Sequence, residues 1–391
     1  MGKIESSRPE LTKDFPSHSK AEWMEQVSRD LEKSGNESEA IWKYSNDLHF
    51  PIIFNSEDMS EIGQFTFHRN EGGCAIRMDF SISDPKESNK RIKVALEKGV
   101  NAIGLKPEKV LEAEDWEIIF EGVVIEALHV HFLFGSGTLE LWTGLKLFLE
   151  NKNTIQWQGS FDFDPLLNQK SLGQEDLDWL EEACEILPAF KHISIDQHVF
   201  HKENQEADEL ALVLAKLSEY LFQLKAKAPD LIEKNLHSRI QCTVPVGCIY
   251  FVEIAKLRAL RLLWPNIIKN YGLHEAAVYI QTRNSPLFTH EDPYWNMLRH
   301  TTMAMIAVIG GADSIHLKIE GEKEAENPEF FQRIAINVQH ILREESKLEN
   351  VNDPANGSYY IENLSYQLAE KAWGKFQQIE AGGGFSKTEK Q

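Results

Sequence analysis

One stretch of this sequence combines polar side chains with a strong helix start. Asp292-Pro293 is typical of a first helical turn, because a carboxylate caps free N–H groups and proline fits the first helical position. Asn296, Arg299 and Thr302 then share roughly one face of the predicted helix, which ends at Gly310-Gly311. Polar groups on an otherwise buried helix are costly unless they bind something. They could serve a ligand, or they could pair with the carbonyl groups of a neighbouring loop.

The elements that would position this helix follow from a regular alternation of two patterns. Short runs rich in branched apolar residues alternate with helical runs, as a closed (β/α)8 barrel requires. The runs are almost continuously apolar, which is typical of parallel strands covered by helices. The predicted strands are 76–80, 102–106, 130–135, 154–159, 192–196, 240–244, 277–282 and 314–319. The predicted helices are 85–98, 138–151, 175–187, 206–225, 252–264, 293–309, 329–344 and 363–380.

Two regions of the sequence depart from this alternation. Between residues 106 and 130 the helical pattern is poor, and residues 118–124 could form an additional strand. Residues 21–33 predict an amphipathic helix far in front of the first barrel strand. The apolar groups of this arm must pack either on the chain's own barrel or on a partner.

We therefore predict an α/β fold, a (β/α)8 TIM barrel with an N-terminal helical arm and C-terminal helices. The predicted parts are an N-terminal arm over residues 1–70, the barrel over residues 71–325 and a C-terminal helical extension over residues 326–391. A chain of 391 residues with 42% hydrophobic content is long enough for one such barrel and its appendages.

Composition excludes some functions. The net charge is -20, from 41 basic and 61 acidic residues, which argues against a surface for nucleic acid or anionic membranes. The four cysteines lack a Cys-x-x-Cys spacing, and no apolar run approaches the roughly 18 residues of a membrane span. Residues 1–15 are polar and lack the apolar segment of a secretory leader, so we do not expect secretion. These features favour a cytoplasmic protein.

Three blocks of the sequence resemble the methylmalonyl-CoA mutase family. Residues 292–302 resemble the family's Asp-Pro-Tyr-x-Asn-x-x-Arg-x-Thr-Thr helix, which also ends in Gly-Gly. Residues 253–259, Glu-Ile-Ala-Lys-Leu-Arg-Ala, and residues 353–360, Asp-Pro-Ala-Asn-Gly-Ser-Tyr-Tyr, are similar to two further segments of the family. The N-terminal half resembles the family more weakly, and there the small, non-catalytic type of subunit fits best. Family members pair through such N-terminal arms, so the resemblance implies that residues 1–70 are an arm for subunit pairing.

The resemblance implies roles for four residues. The family's strand-end pattern Ser-Gly-Tyr-His places His198 on the histidine that helps to handle the thioester carbonyl in catalytic subunits, and an imidazole N–H can polarise a carbonyl at neutral pH. Residues 196–197 are Asp-Gln where the pattern has Gly-Tyr, so a vestigial histidine is the alternative. Gln281, Asn296 and Arg299 would be the substrate-binding residues.

Two segments of the catalytic family members have no counterpart here. Their Thr-Met-Tyr-Arg segment supplies a tyrosine near the migrating group, whereas residues 65–73 contain no tyrosine. Their Phe-Asp-Leu-Pro-Thr segment is replaced by Lys106-Pro107-Glu108-Lys109. Without these segments the substrate loses part of its socket.

Cobalamin binding has a spacing requirement of its own. A histidine that replaces the lower ligand of the cofactor needs Asp-x-His-x-x-Gly, so that the aspartate orients the imidazole and the glycine lets the loop approach the corrin. Asp47-Leu48-His49 is followed by Ile52 and Asp196-Gln197-His198 by His201, so neither qualifies. We expect no metal site either. His129 and His131 would face the same side of a strand, which is usual for a satisfied core pair.

The resemblance implies one function and leaves two alternatives. The chain would be the small, structural subunit of a heterodimeric adenosylcobalamin-dependent methylmalonyl-CoA mutase, an isomerase that interconverts methylmalonyl-CoA and succinyl-CoA. The large subunit would bind the cofactor and the acyl-CoA. One alternative is a catalytic acyl-CoA mutase barrel that recruits a separate cobalamin-binding subunit. The other is a free-standing module that binds CoA esters.

Overall fold

The structure is a computed structural model that describes residues 18–34, 41–45, 48–59, 62, 65, 67, 73–150, 152–318 and 328–388. Its contacts group the chain into two compact units, residues 1–63 and residues 64–391. The barrel strands and the C-terminal helices belong to the second unit. The domain boundaries expected from the sequence, at residues 70 and 325, stay predictions.

The first unit contains one helix and one hairpin. Helix α1, Lys20–Ser34, precedes strands β1, Ile41–Lys43, and β2, His49–Pro51, which pair antiparallel. Trp42 lies opposite Phe50, and the ring of Tyr44 packs against both of them, with ring centroids 5.2 to 6.3 Å apart. Phe50 is buried, whereas Trp23 on α1 is exposed.

The second unit is built on eight parallel strands. Neighbouring strands in the sheet follow the order β6-β5-β4-β3-β10-β9-β8-β7. Backbone hydrogen bonds close the ring between its two ends, from Phe161 N–H to Lys191 C=O and from Lys191 N–H to Gly159 C=O, both 2.9 Å. The predicted (β/α)8 barrel is therefore confirmed. The strands are β3 Ala75–Ile82, β4 Ala102–Pro107, β5 His129–Phe132, β6 Gln158–Phe161, β7 Ile193–Asp196, β8 Ile240–Val246, β9 Tyr279–Asn284 and β10 Ser314–His316.

Helices surround this barrel and continue beyond it. None of the helices in the described part of the chain combines the length and apolar character that a membrane span requires. A π-helical turn, Ile341–Glu345, follows the helix that ends at residue 340. The helices are α2 Pro85–Glu97, α3 Ala113–Ile119, α4 Thr138–Leu149, α5 Gln174–Ile186, α6 Glu206–Lys227, α7 Pro229–Glu233, α8 Tyr250–Asn270, α9 Pro293–Ile309, α10 Pro328–His340 and α11 Tyr359–Ala381.

The additional strand considered for residues 118–124 is wrong. Helix α3 occupies part of that region, and the Asp115 side chain accepts a hydrogen bond from Glu112 N–H at its first turn. Trp116 and Ile119, three residues apart, are both fully buried. The Trp116 ring packs edge-on against Phe132 of β5 at 5.7 Å. Burial of one helical face therefore decides the conformation here, as helical periodicity requires.

Helix α8 connects the three sequence blocks that resemble the family. Its Arg258 donates a hydrogen bond to Glu362 on α11, 2.8 Å from Nη2 to Oε1, and a second one to Asp353 in the loop before α11. All three side chains are buried. Arg261 on the same helix donates to Gly311 C=O, 3.0 Å from Nε, and to Asp313, 2.7 Å from Nη2. The blocks therefore form one packed framework.

Candidate functional site

Polar side chains from alternating positions of the strands meet along the axis of the barrel. The register places Asp79 of β3 beside Gly104 of β4, Gly104 beside His131 of β5, and His131 beside Ser160 of β6. Because every second side chain of a barrel strand points inward, these residues form layers across the interior. The other contributors are Arg77, Ser194, Gln241, Thr243, Gln281, Arg283 and His316.

Asp79 is the central anion of this interior. Its Oδ1 accepts a hydrogen bond of 2.6 Å from Arg77 Nε, and its Oδ2 lies 2.9 Å from His316 Nδ1 and 3.8 Å from Arg283 Nη2. Burial alone would raise the pKa of Asp79, but the positive charge of Arg77, the contact with His316 and the charge of Arg283 hold it well below its usual range. Burial lowers the pKa of His316, so Asp79 is charged at neutral pH and faces two arginine cations and a neutral imidazole.

Gln281 connects this ion pair to the opposite wall. Its Oε1 accepts from Arg77 Nη1, and its Nε2 lies 3.0 Å from each of three acceptors, Gln241 Oε1, Ser160 Oγ and His131 Nδ1. His131 Nδ1 is also 2.7 Å from Ser160 Oγ. Both hydrogen-bonding ends of the buried Gln281 amide are thus occupied inside the barrel.

Burial and positive charge also set the state of His131. Burial lowers the pKa of His131 well below its usual range, and the nearby charge of Arg77 lowers it further. The imidazole is therefore neutral. A neutral ring can accept a hydrogen bond from the Gln281 amide at Nδ1, which agrees with the observed distance.

His198 follows the carboxyl end of β7, where a barrel enzyme would carry chemistry. Its Nδ1 lies 3.1 Å from Asp196 Oδ1, and the same oxygen accepts from the His198 backbone N–H at 2.9 Å. The imidazole is partly exposed. Burial would raise the pKa of Asp196, but the hydrogen bond and the charge of His198 outweigh burial and lower it. Asp196 therefore orients the His198 ring. None of these hydrogen bonds connects the pair to the Gln281 network.

Asn296 and Arg299 hold the loop that precedes their own helix. The Asn296 amide donates to His290 C=O and accepts from His290 N–H, both at 2.8 Å. Arg299 Nη1 donates to Phe288 C=O at 2.5 Å. Of the two possibilities left open by the sequence, the structure shows pairing with loop carbonyls. It does not bring these two residues together with Gln281 or His198 in one hydrogen-bonded site.

The charged residues of the barrel interior were not singled out from the sequence. Arg77 and Asp79 are two residues apart on β3, and Arg283 and His316 occupy paired positions on β9 and β10. The only signal was alternation on a predicted strand, which had drawn attention to His129 and His131. Within the described residues, no group of three or more His, Cys, Asp or Glu side chains could hold a metal ion.

The closed ring of parallel strands and its helices define an α/β protein of the TIM-barrel class. The family model for methylmalonyl-CoA mutase matches residues 109–391, and the chain belongs to this family.

Several curated relatives carry the name methylmalonyl-CoA mutase small subunit, and two of them show how far the similarity extends. The protein from Porphyromonas gingivalis is 26% identical over 410 residues, which cover 97% of this chain and 66% of that protein. The protein from Streptomyces virginiae is 31% identical over 326 residues, which cover 80% of this chain and 52% of that protein. The chain therefore spans less than two thirds of the length of either relative.

The chain also has a distant similarity to solved structures. Dihydropteroate synthase from Xanthomonas albilineans superposes with a TM-score of 0.39 at 11% identity, over 70% of this chain and 94% of that one. This similarity is too low to bear on function.

Proposed function

We propose that this chain is the small subunit of a heterodimeric, adenosylcobalamin-dependent methylmalonyl-CoA mutase, and that its role is structural. The large subunit binds the cofactor and the acyl-CoA and interconverts methylmalonyl-CoA and succinyl-CoA. Family membership and the names of the relatives support the assignment to this enzyme. The observation that carries the structural role is the filled axis of the barrel.

The side chains on the axis cannot be moved aside cheaply. Arg77 and Asp79 are hydrogen-bonded to each other inside the barrel, and Gln281 joins Arg77 to the far wall. A substrate placed along the axis would have to separate the partly exposed Asp79 from Arg77 and leave the buried guanidinium without its counter-ion, which typically costs about 3–5 kcal/mol. An extended acyl-CoA chain therefore has no low-cost path through this barrel.

The residues of this chain also do not fit a corrin. The Asp196–His198 pair has the orientation that a lower ligand needs, but His201 stands where the spacing requires glycine. The His201 ring is buried and fixed between Glu209 Oε1 at 2.8 Å and Ser285 Oγ at 2.6 Å. The loop cannot approach a flat macrocycle closely with this side chain in place. The cofactor therefore belongs on the partner subunit in this proposal.

The residues expected to bind substrate take structural roles in this proposal. Gln281 serves the network on the barrel axis, while Asn296 and Arg299 fix the loop after β9. Each makes its hydrogen bonds within the chain, so that binding a ligand would first break these bonds.

One observation favours the alternative of a catalytic barrel that recruits a separate cobalamin-binding subunit. His198 is partly exposed at the carboxyl end of β7 and is oriented by Asp196. Such a histidine could donate a hydrogen bond to a thioester carbonyl. The two functions therefore differ in what His198 does during turnover.

The test is His198→Ala in a complex reconstituted with the large subunit. If this chain is structural, turnover should stay within about twofold of wild type, because the reacting carbonyl is bound elsewhere. His274→Ala is the matched control, since His274 is exposed in the loop between α8 and β9, at the opposite end of the strands. A loss of about 100-fold for His198→Ala alone, with the complex intact, would reject the proposal in favour of the catalytic barrel.

A further inference from the structure

A second buried ion pair lies outside the barrel axis. Lys216 on α6 is fully buried, and its Nζ lies 2.6 Å from Asp164 Oδ2, just beyond the carboxyl end of β6. The other oxygen, Asp164 Oδ1, accepts from Tyr220 OH at 2.6 Å. A buried ammonium group requires a counter-ion, and the exclusion of water strengthens the attraction between the two charges. Asp164 is this counter-ion.

Two aromatic rings shield the ammonium group. Lys216 Nζ lies 5.5 Å from the ring centroid of Phe385 and 5.8 Å from that of Phe200, within the range of cation–π contacts. The two rings meet edge to face, 6.0 Å apart at 78°. Both are only half-buried, so they separate a fully buried charge from solvent. Phe200 follows β7, whereas Phe385 belongs to the C-terminal segment.

The backbone after α11 is shaped to return Phe385 to this place. Gly383 and Gly384 have φ angles of 106° and 80°, a left-handed region that favours glycine. Their N–H groups donate to Glu380 C=O and Ile379 C=O, both at 3.0 Å, in the last turn of the helix. A short helical turn, Phe385–Lys387, follows. Consecutive left-handed residues reverse the chain, so α11 does not simply continue past α6.

The shielded ion pair is linked to two strand ends. Asp164 Oδ2, the oxygen bound by Lys216, also accepts from Asp196 N–H at 3.4 Å. Tyr220 OH accepts from Leu166 N–H at 3.2 Å. Asp196 in turn orients His198. A continuous set of contacts therefore runs from Phe385 through Lys216 and Asp164 to the ends of β6 and β7.

We propose that residues 382–388 form a latch that closes over Lys216 and so fixes the carboxyl ends of β6 and β7. The structure shows the latch closed. Release of Phe385 would admit water to the ammonium group and weaken its pairing with Asp164. This inference is independent of the subunit role proposed above.

Amine labelling followed by mass spectrometry tests the latch, with Phe385→Ala as the opening variant. Labelling of Lys216 should become at least about tenfold faster than in wild type, because local opening then governs its exposure. Phe222→Ala is the matched control, since Phe222 lies on the same helix as Lys216 but its side chain is exposed. That control should stay within about twofold of wild type. Unchanged protection of Lys216 in Phe385→Ala would overturn the proposal.

The labelling of Lys256, which is fully buried on α8, distinguishes local opening of the latch from global unfolding. It should stay protected in Phe385→Ala, and equal gains at Lys216 and Lys256 would contradict a latch. Gly384→Ala opens the latch by a second route, through strain at a left-handed backbone position. It should accelerate labelling of Lys216 as well, whereas Gly374→Ala within α11 should not. Failure of Gly384→Ala to do so would argue against the role of the glycine turn.

Discussion

Gly104 shows how the absence of one side chain permits the ion pair inside the barrel. A Cβ on Gly104 would overlap Asp79 Oδ1 and would lie 3.0 Å from Arg77 Nη2. The backbone of Gly104 does not lie in the left-handed region, so glycine is needed here for space and not for conformation. The pair Arg77–Asp79 and the glycine beside it therefore depend on one another.

We expect Gly104→Ala to lower the free energy of unfolding by about 1–3 kcal/mol, the usual range for overpacking a buried site. Urea unfolding measures this change. Gly374→Ala is the control, because a Cβ there meets nothing within 4 Å inside helix α11. That substitution should be neutral or stabilising by up to about 1 kcal/mol. Equal stability of the two variants would show that the barrel interior is not tightly filled around Asp79.

Sequence reasoning reached two polar residues of α9 and the kind of partner they bind, but not which carbonyl groups these partners are. Asn296 and Arg299 stood out because polar side chains recur on one face of an apolar helix. Their partners are backbone carbonyls of the loop before the helix, which carry no signature of their own in the sequence. Arg77 and Asp79 were missed for a related reason. Their meaning depends on strand register, which brings together residues far apart in the chain.

Helix α8 explains why the three sequence blocks that resemble the family occur together. Arg258 and Arg261 bind the loop before α11 and the Gly-Gly turn after α9, while Lys256 lies 2.8 Å from Glu253 and donates to Pro245 C=O at 2.7 Å. These three cationic side chains of α8 bind groups on neighbouring elements and so hold those elements together. The family motifs therefore mark the framework of the barrel.

Arg258→Met should lower the free energy of unfolding by about 3–5 kcal/mol, because it leaves Asp353 and Glu362 buried without their cation. Lys269→Met is the control on the same helix, since Lys269 is exposed, and it should change stability by no more than about 0.5 kcal/mol. Adding Asp353→Asn and Glu362→Gln to Arg258→Met should restore part of the loss. If Arg258→Met has the same free energy of unfolding as the control, the framework does not depend on the contacts of Arg258 with Asp353 and Glu362.

The periodicity of the sequence predicted the barrel because few other folds alternate strands and helices in this way. Helix α9 was predicted with the observed bounds, since Asp292 accepts from Tyr294 N–H at its start and Gly310 follows its end. Strand β6 was predicted at 154–159 but lies at Gln158–Phe161. Residues 154–157 form a turn, with Trp157 N–H bonded to Thr154 C=O, and Ile155 is exposed. Branched residues in a turn imitate a strand when only composition is considered.

The first unit carries exposed apolar side chains of its own. Trp23, Ile41 and Ile52 are 38%, 50% and 43% exposed, although the unit also buries Phe50. Large apolar groups left in solvent on a small unit are typical of an interaction surface. In the proposed heterodimer we expect this surface to contact the large subunit.

We expect the chain to form a 1:1 complex with the large subunit that depends on this surface. The combined variant Trp23→Ser, Ile41→Ser, Ile52→Ser should weaken the complex at least about tenfold, because a few apolar residues supply most of the binding energy at an interface. Size-exclusion chromatography with light scattering measures the stoichiometry, and calorimetry measures the affinity.

The matched control changes three exposed apolar residues of the second unit, Val94, Val110 and Val124, to serine. It removes apolar surface of the same kind from outside the arm, so affinity for the large subunit should stay within about twofold of wild type. Equal loss in both variants would mean that apolar exposure in general, and not the arm, governs assembly. A chain that stays monomeric beside the large subunit would contradict the proposed heterodimer itself.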